Sequence, residues 1–102
     1  MNVITKKRVM DFMNKHPDST TALEQWYRTA RKAQWSRIQD VRLIFPHADL
    51  VTVKSGNTVT VFNIGGNKYR LVAAIHYNRQ RLYVLRIMTH AEYSRDAWKD
   101  AL

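Results

Sequence analysis

Cysteine is absent from this chain of 102 residues, and proline and glycine occur only twice and three times. Without cysteine, neither disulfide bonds nor thiolate metal sites can form. No apolar run approaches the roughly 18 residues that a membrane-spanning helix needs. The early cations of Lys6, Lys7 and Arg8 are followed by no apolar stretch of the kind that defines a secretory signal. We therefore expect a cytoplasmic protein with no membrane partner.

Acidic residues are also few. Eight Asp and Glu stand against seventeen Lys and Arg, so the formal net charge is +9. In a folded protein this imbalance favours a polyanionic partner, either nucleic acid or a strongly acidic protein, although an ordinary basic surface is the simpler interpretation. Because 45% of the residues are hydrophobic and 11% aromatic, we expect one folded domain over residues 1–102 and not a disordered basic arm.

The hydrophobic pattern changes from a helical to a strand period near Leu50. Upstream, apolar residues three or four apart predict two helices, about 5–16 and 21–34, with Thr5 and Thr21 as N-caps. A shorter helical segment begins with a capping box at Ser36 and ends before Pro46. Downstream, alternation and turn residues predict four strands, and Val3–Ile4 a further short one. This order predicts an α+β two-layer domain, with helices on one face of an antiparallel β-meander and the other face left for solvent or a ligand.

A glycine pair lies at the centre of the predicted sheet. Gly65 and Gly66 tolerate positive φ, which a two-residue hairpin turn requires. In the strand that follows, Lys68 and Arg70 are two residues apart, so we expect both on one sheet face. A cationic strand face of this kind is suited to binding phosphate.

The segment after the last predicted strand contains His90, Glu92 and Tyr93. Thr89 and Glu92 have the spacing of a capping box, so one interpretation is simply a helix start against which Tyr93 packs. The other is a set of proton donors and acceptors beside Lys68 and Arg70. Cleaving RNA without a metal needs a base for the 2′-hydroxyl, positive charge for the phosphorane and an acid for the leaving 5′-oxygen. These residue types can fill all three roles.

Other kinds of site are not predicted. No helical i, i+4 pair and no metalloprotease motif occurs among the four histidines, His16, His47, His76 and His90, so no metal is expected. A nucleophile elbow is missing, and the glycine pair matches no nucleotide-binding loop, so no cofactor is expected. Of the tryptophans, Trp26 is expected in the core, whereas Trp98 lies in a mixed-charge tail that either docks on the sheet or is mobile.

With these segments in view, the chain resembles the HigB family of toxins, mRNA interferases within the wider RelE/ParE-like toxin superfamily. The resemblance rests on VFNIGGNKYRLVA at 61–73 and MTHAEY at 88–93. It is supported by the pairs Trp26–Tyr27 and Phe45–Pro46, and it extends over nearly the whole chain. One departure is Ser94, where the family pattern leads us to expect an acidic residue.

The resemblance implies a RelE-like fold, a helical pair on a twisted antiparallel sheet, and cleavage of mRNA on translating ribosomes. It also implies a HigA-like antitoxin with a helix-turn-helix domain, through which alone the complex contacts operator DNA. The catalytic positions that match are Lys68, Arg70, His90, Glu92 and Tyr93. We expect Arg70 to stabilise the scissile phosphate with help from Lys68, His90 or Tyr93 to transfer protons, and Glu92 to orient one of them or act as base.

Under this hypothesis the surplus positive charge binds ribosomal RNA. The expected contacts are Arg28, Arg31, Lys32, Arg79 and Arg81, and such binding should weaken steeply with salt. Two alternatives stay open: a non-catalytic RNA- or ribosome-binding protein of the same fold, and a ParE-like toxin that inhibits DNA gyrase.

Overall fold

The computed structural model describes residues 1–102, in which a five-stranded sheet is covered on both faces. The strands are β1 (Asn2–Ile4), β2 (Asp49–Thr52), β3 (Thr58–Ile64), β4 (Tyr69–His76) and β5 (Arg81–Thr89). The helices are α1 (Lys6–Lys15), α2 (Thr20–Lys32), α3 (Ile38–Ile44) and α4 (His90–Ser94), with 3₁₀ turns at Pro17–Ser19, Tyr77–Arg79 and Ala97–Ala101. None of the helices combines the length and apolarity that crossing a bilayer requires. The predicted α+β class and order of elements are confirmed.

The sheet has the strand order β1-β5-β4-β3-β2. Strands β2 to β5 form the predicted antiparallel meander. Strand β1, whose partner and direction the sequence does not indicate, runs parallel to β5, with Val3 opposite Leu82. The reason lies in the connection, because long helical segments separate β1 from β5 and parallel neighbours need such a crossover.

The first helices begin near their predicted positions but without the predicted side-chain caps. Thr5 has a positive φ of 71°. Its hydroxyl accepts a hydrogen bond from the Val84 N–H at 3.1 Å and lies 3.0 Å from the Val84 carbonyl, so it joins the start of α1 to β5. Helix α2 begins at Thr20, one residue before the predicted cap Thr21, and α3 begins without the capping box expected at Ser36.

The larger hydrophobic core lies between the sheet and the helices, on what we call the helix-side face. Leu23, Trp26 and Ala30 of α2 are almost completely buried, as their spacing predicted. The Phe62 ring of β3 packs edge-on against Trp26, with 5.4 Å between the ring centroids. Burying a side chain of this size contributes about 1.5–3 kcal/mol, so this contact fixes α2 on the sheet.

The opposite face, here called the tail-side face, is not left open as predicted. It carries the buried side chains of Val59, Val61 and Val72, which pack under Trp98 of the last 3₁₀ turn. The Lys54 N–H donates to the carbonyl of Lys99 at 3.1 Å and so fixes this turn to the β2–β3 hairpin. A row of valines exposed to water would lose its hydrophobic stabilisation, which explains why the tail docks here.

Strand β5 contains a β-bulge that exchanges its two faces. The register shifts between Val72 and Ala73, which leaves Leu85 as an extra residue in β5. Before the bulge Val84 belongs to the helix-side core, and after it Ile87 packs there. The uninterrupted alternation predicted for this strand is therefore wrong, because one extra residue inverts the period of two. The bulge decides from which face the chain leaves β5 for α4.

Candidate active site

The structure brings Arg70 and Tyr93 together on the tail-side face. Arg70 lies on the central strand β4, directly opposite Asn63 of β3 and Met88 of β5. Tyr93 lies on α4, which follows β5 immediately. The Cζ atom of Arg70 is over the Tyr93 ring, 5.6 Å from its centroid. A cation and a phenol are thus in contact at the end of the sheet where β5 finishes.

The guanidinium of Arg70 is nearly buried but is not neutralised. The residue is 9% exposed and donates hydrogen bonds to the Tyr69 carbonyl at 3.2 Å and to Oδ1 of Asn67 at 3.3 Å. Neither acceptor carries a charge, and the ion pairs of the chain do not include Arg70. Since a desolvated cation is favoured by an opposite charge, this arrangement attracts an anion such as a phosphate.

The phenol of Tyr93 is half-buried, and its ring stacks on Trp98 with 5.3 Å between centroids and 21° between planes. Burial, followed by the negative charge of Asp49 at the start of β2, raises the pKa of Tyr93 above its ordinary value. The hydroxyl therefore stays protonated at neutral pH. This environment suits a hydrogen-bond donor or general acid better than a base.

His90 begins α4 next to the glycine loop. Its backbone N–H donates to the Lys68 carbonyl at 3.0 Å, so α4 is attached to the loop that precedes β4. Its exposed imidazole has Nδ1 at 3.3 Å from Oγ of Ser94, which also donates to the His90 carbonyl at 2.9 Å. Ser94 departs from the family pattern, yet it is the residue that contacts the imidazole.

Glu92 has the contacts of a helix cap. Its Oε1 accepts hydrogen bonds from the Thr89 N–H at 3.1 Å and the Thr89 hydroxyl at 3.0 Å, and the Glu92 N–H donates to Thr89 Oγ1 at 3.2 Å. The structural interpretation of this segment as a capping box is confirmed. The carboxylate makes no hydrogen bond to His90 or Tyr93, so its contacts do not support the expected orienting role.

Lys68 does not share a sheet face with Arg70, contrary to prediction. Ile64 pairs with Tyr69, so residues 65–68 form a four-residue loop and not a two-residue turn. Both glycines have positive φ as expected. Because Lys68 lies in a loop, its side chain does not follow the alternation of the strand. Its ammonium instead pairs with the Asp18 carboxylate at 2.7 Å. The Tyr69 hydroxyl donates a hydrogen bond to the same carboxylate. The lysine is thus directed towards the turn between α1 and α2.

The Asp18–Lys68 contact gives a pH-dependent prediction. Hydrogen bonds from Lys68 and then Tyr69 hold the pKa of Asp18 below its ordinary value. A carboxyl with a lowered folded-state pKa stabilises the fold above its unfolded pKa, and that contribution is lost as the pH falls through the lowered value. We expect Asp18→Asn to unfold at a lower urea concentration than wild type at about pH 7, and we expect this difference to shrink as the pH falls below about 4, the ordinary pKa of an aspartate. A difference that did not change with pH would mean that the charge is irrelevant.

The cations expected to bind ribosomal RNA do not form one patch. Arg31, Lys32 and Arg79 line a depression of about 620 Å³ beside the start of β5, and the exposed Arg81 is the first residue of that strand. Arg28 instead lines a different groove, between α1 and α2. Strand β5 has nine residues, each about 3.3 Å long in an extended chain. The depression lies before its first residue and α4 follows its last, so the full length of the strand separates them.

Three residues that touch the site were not identified from the sequence. Asn67 lies within the glycine segment, and its carboxamide binds Arg70. Asp18 lies in a cluster of capping residues whose composition conceals its contact with Lys68. Trp98 lies in a mixed-charge tail and is buried against the tail-side face. A lone large aromatic in an otherwise polar segment is the signal that indicates docking on an apolar surface.

A small α+β domain with helices packed on an open five-stranded sheet is consistent with the fold of a RelE-like toxin. Residues 19–96 match the family model described as the RelE-like toxic component of a toxin–antitoxin system. The chain belongs to this family, the HigB toxins. As a toxic component, it has an antitoxin as partner.

Two relatives illustrate the similarity. The chain is 33% identical over 93 residues to a protein of Escherichia coli named mRNA interferase toxin HigB, and the match covers 91% of this chain and 88% of that protein. It has the same identity and coverage with the mRNA interferase HigB of Shigella flexneri. The family match over residues 19–96 includes α2, the glycine loop and α4.

Proposed function

We propose that residues 1–102 act as a single RelE-like toxin domain that cleaves mRNA without a metal ion. The names of the relatives support the activity. The observation that carries the proposal is the contact of Arg70 with Tyr93, in which a desolvated cation without a carboxylate partner lies beside a protonated phenol. Such a pair can bind a phosphate and supply a proton to it.

In the proposed reaction, Arg70 binds the non-bridging oxygens of the scissile phosphate. The 2′-oxygen of the RNA forms a bond to phosphorus, and the bond from phosphorus to the 5′-oxygen breaks. His90 accepts the proton that the 2′-hydroxyl loses, and Tyr93 supplies the proton that the 5′-oxygen gains. The products are a 2′,3′-cyclic phosphate and a 5′-hydroxyl end, so protons and charge balance within the site.

The other two predicted catalytic residues have supporting roles in this proposal. Glu92 fixes the start of α4 through its capping box with Thr89 and thereby positions His90. Lys68 assists only after a phosphate of the bound RNA displaces Asp18, since its ammonium is otherwise occupied. Exchange of an exposed ion pair of this kind requires little free energy, so the displacement is compatible with binding.

The activity is tested by incubating purified protein with translating mRNA on ribosomes and with naked mRNA, the latter both with and without EDTA. We expect cleavage of the translated message, with 5′-hydroxyl ends at the new termini. Binding to ribosomes without any cleavage would favour the non-catalytic alternative. Inhibition of DNA gyrase by a protein insensitive to changes at His90 and Tyr93 would favour the ParE-like one.

The antitoxin is, in this proposal, a HigA-like protein with a helix-turn-helix domain, and operator DNA is bound only through it. The family description supports an antitoxin of some kind. Co-expression with the product of the adjacent reading frame tests the finer assignment. We expect a stable complex that has lost the ribonuclease activity and binds operator DNA, whereas the toxin alone should not bind that DNA specifically.

Binding to the ribosome is proposed to use the depression lined by Arg31, Lys32 and Arg79. We expect the double change Arg31→Ala and Arg79→Ala to weaken ribosome binding and to reduce its salt dependence by about one unit of slope for each phosphate that is no longer bound. Arg28→Ala, on the other groove, is the matched comparison and should have the smaller effect. Sedimentation with ribosomes at several salt concentrations measures both, and an unchanged slope would exclude this surface.

A further inference from the structure

Trp98 contacts Tyr93 in two independent ways. Its indole stacks on the Tyr93 ring, with 5.3 Å between the centroids. Its Nε1–H donates a hydrogen bond to the Tyr93 carbonyl at 3.1 Å. The first contact restricts the side chain and the second restricts the backbone, so together they determine where the phenol lies relative to Arg70.

Helix α4 depends on contacts of this kind. It has five residues, and an isolated helix of that length does not persist in water. Its first turn is fixed by the capping box and by the His90 N–H, which donates to the Lys68 carbonyl. After α4 the chain reverses at Asp96, which has a positive φ of 61°, and this reversal returns Trp98 to Tyr93.

Trp98 is also anchored to the sheet. It is 7% exposed and packs in a cluster with five buried residues of the tail-side face, Val53, Val59, Val61, Val72 and Met88. The neighbouring Lys99 carbonyl accepts a hydrogen bond from the Lys54 N–H of the β2–β3 hairpin. The position of the indole is therefore set by the same sheet that carries Arg70.

We propose that Trp98 is a positioning residue that acts through Tyr93 and fixes the phenol beside the Arg70 guanidinium. This inference rests on the proposed function, because it assumes that Tyr93 takes part in the reaction. Arg70 and Trp98 are both held by the same sheet, and Trp98 in turn holds the Tyr93 ring. The distance between the cation and the phenol therefore does not depend on the intrinsic stability of α4. A misplacement of about 1 Å in a catalytic group can lower a rate by about a hundredfold.

The test uses Trp98→Leu, which keeps an apolar side chain in the cluster but can neither stack nor donate, and Trp98→Phe, which retains stacking. We expect Trp98→Leu to lower the single-turnover cleavage rate by about 10- to 100-fold with little change in RNA affinity. Trp98→Phe should restore most of the rate. A carbon-13 tyrosine titration should show that the pKa of Tyr93 falls towards its ordinary value in Trp98→Leu. Thermal melts confirm that each variant is folded at the assay temperature.

A second background separates this inference from the proposed function. In a Tyr93→Phe protein, adding Trp98→Leu should cause little further loss of rate, because residues that act as a unit are not additive. An equal loss in both backgrounds, or a wild-type rate and pKa in Trp98→Leu, would overturn the positioning role alone. A wild-type rate in Tyr93→Phe itself would instead overturn the catalytic role of Tyr93.

Discussion

Replacing Tyr93 by phenylalanine is expected to lower RNA cleavage by about 10²- to 10⁴-fold, the usual range for losing a general acid. The ring remains, so its stacking on Trp98 and its contact with Arg70 are retained. The fold should therefore be unaffected, and single-turnover cleavage with a defined RNA measures the loss directly. Because burial and Asp49 raise the pKa of this phenol, wild-type activity should show no alkaline decline attributable to Tyr93 below about pH 10.

The matched control is Tyr83→Phe. Tyr83 lies on β5, at the opposite end of the strand from α4. Its ring packs edge-on against the His76 ring, with 5.3 Å between the ring centroids. Removing its hydroxyl is the same chemical change outside the proposed site, and we expect wild-type cleavage. If both tyrosine variants cleaved at the wild-type rate, the phenol would not be the proton donor.

Replacing Arg70 by alanine is expected to lower cleavage by about 10²- to 10³-fold, the range observed when a group that stabilises a developing negative charge is removed. The side chain is nearly buried and has only neutral hydrogen-bond partners, so its charge is available to the phosphate. Arg70→Lys should recover part of the activity, because an ammonium keeps the charge but loses the planar, two-pronged geometry of a guanidinium. Cleavage rates and RNA affinities should be measured for both.

Arg86→Ala is the control for Arg70→Ala. Arg86 is half-buried on the sheet and, like Arg70, donates to the carbonyl of the preceding residue, here Leu85, but Arg86 makes no contact with Tyr93. Its replacement removes the same charge and should leave most of the activity. In cells, growth arrest gives a second readout: full toxicity of a protein carrying both Arg70→Ala and Tyr93→Phe would eliminate the proposed site.

Those parts of the fold that depend on local pattern could be predicted from the sequence. Leu23, Trp26 and Ala30 repeat at the helical period and are all buried on α2. The parts that depend on distant contacts could not. The hydroxyl of Thr5 bonds to Val84, 79 residues away, instead of capping its own helix. The parallel pairing of β1 with β5 leaves no sign in the two residues Val3 and Ile4.

The candidate site divides in the same way. Arg70 and Tyr93 were expected to be neighbours because each follows from its place on a strand or just after one. The position of Lys68 does not follow from strand alternation, because its partner, Asp18, is 50 residues away in sequence and binds the ammonium. For Glu92 the sequence is compatible with both a helix cap and a catalytic role. In the structure its hydrogen bonds with Thr89 are those of a helix cap. Trp98 could be assigned only once its apolar surface was known.

The bulge at Leu85 has a consequence for variation in chain length. Deleting that single residue would leave the faces as they are, because Val84 and Arg86 already pair with the adjacent residues Ala73 and Val72 of β4. Drawing Leu85 into the regular ladder instead would turn everything downstream through half a revolution. Met88 would then point into the helices, and α4 would emerge on the surface opposite Arg70, with every reactive side chain still present but on the wrong side. The exposed hairpin around Gly56 should accept insertions freely, and a relative without the extra residue in β5 should still present its active centre on the same face of the sheet.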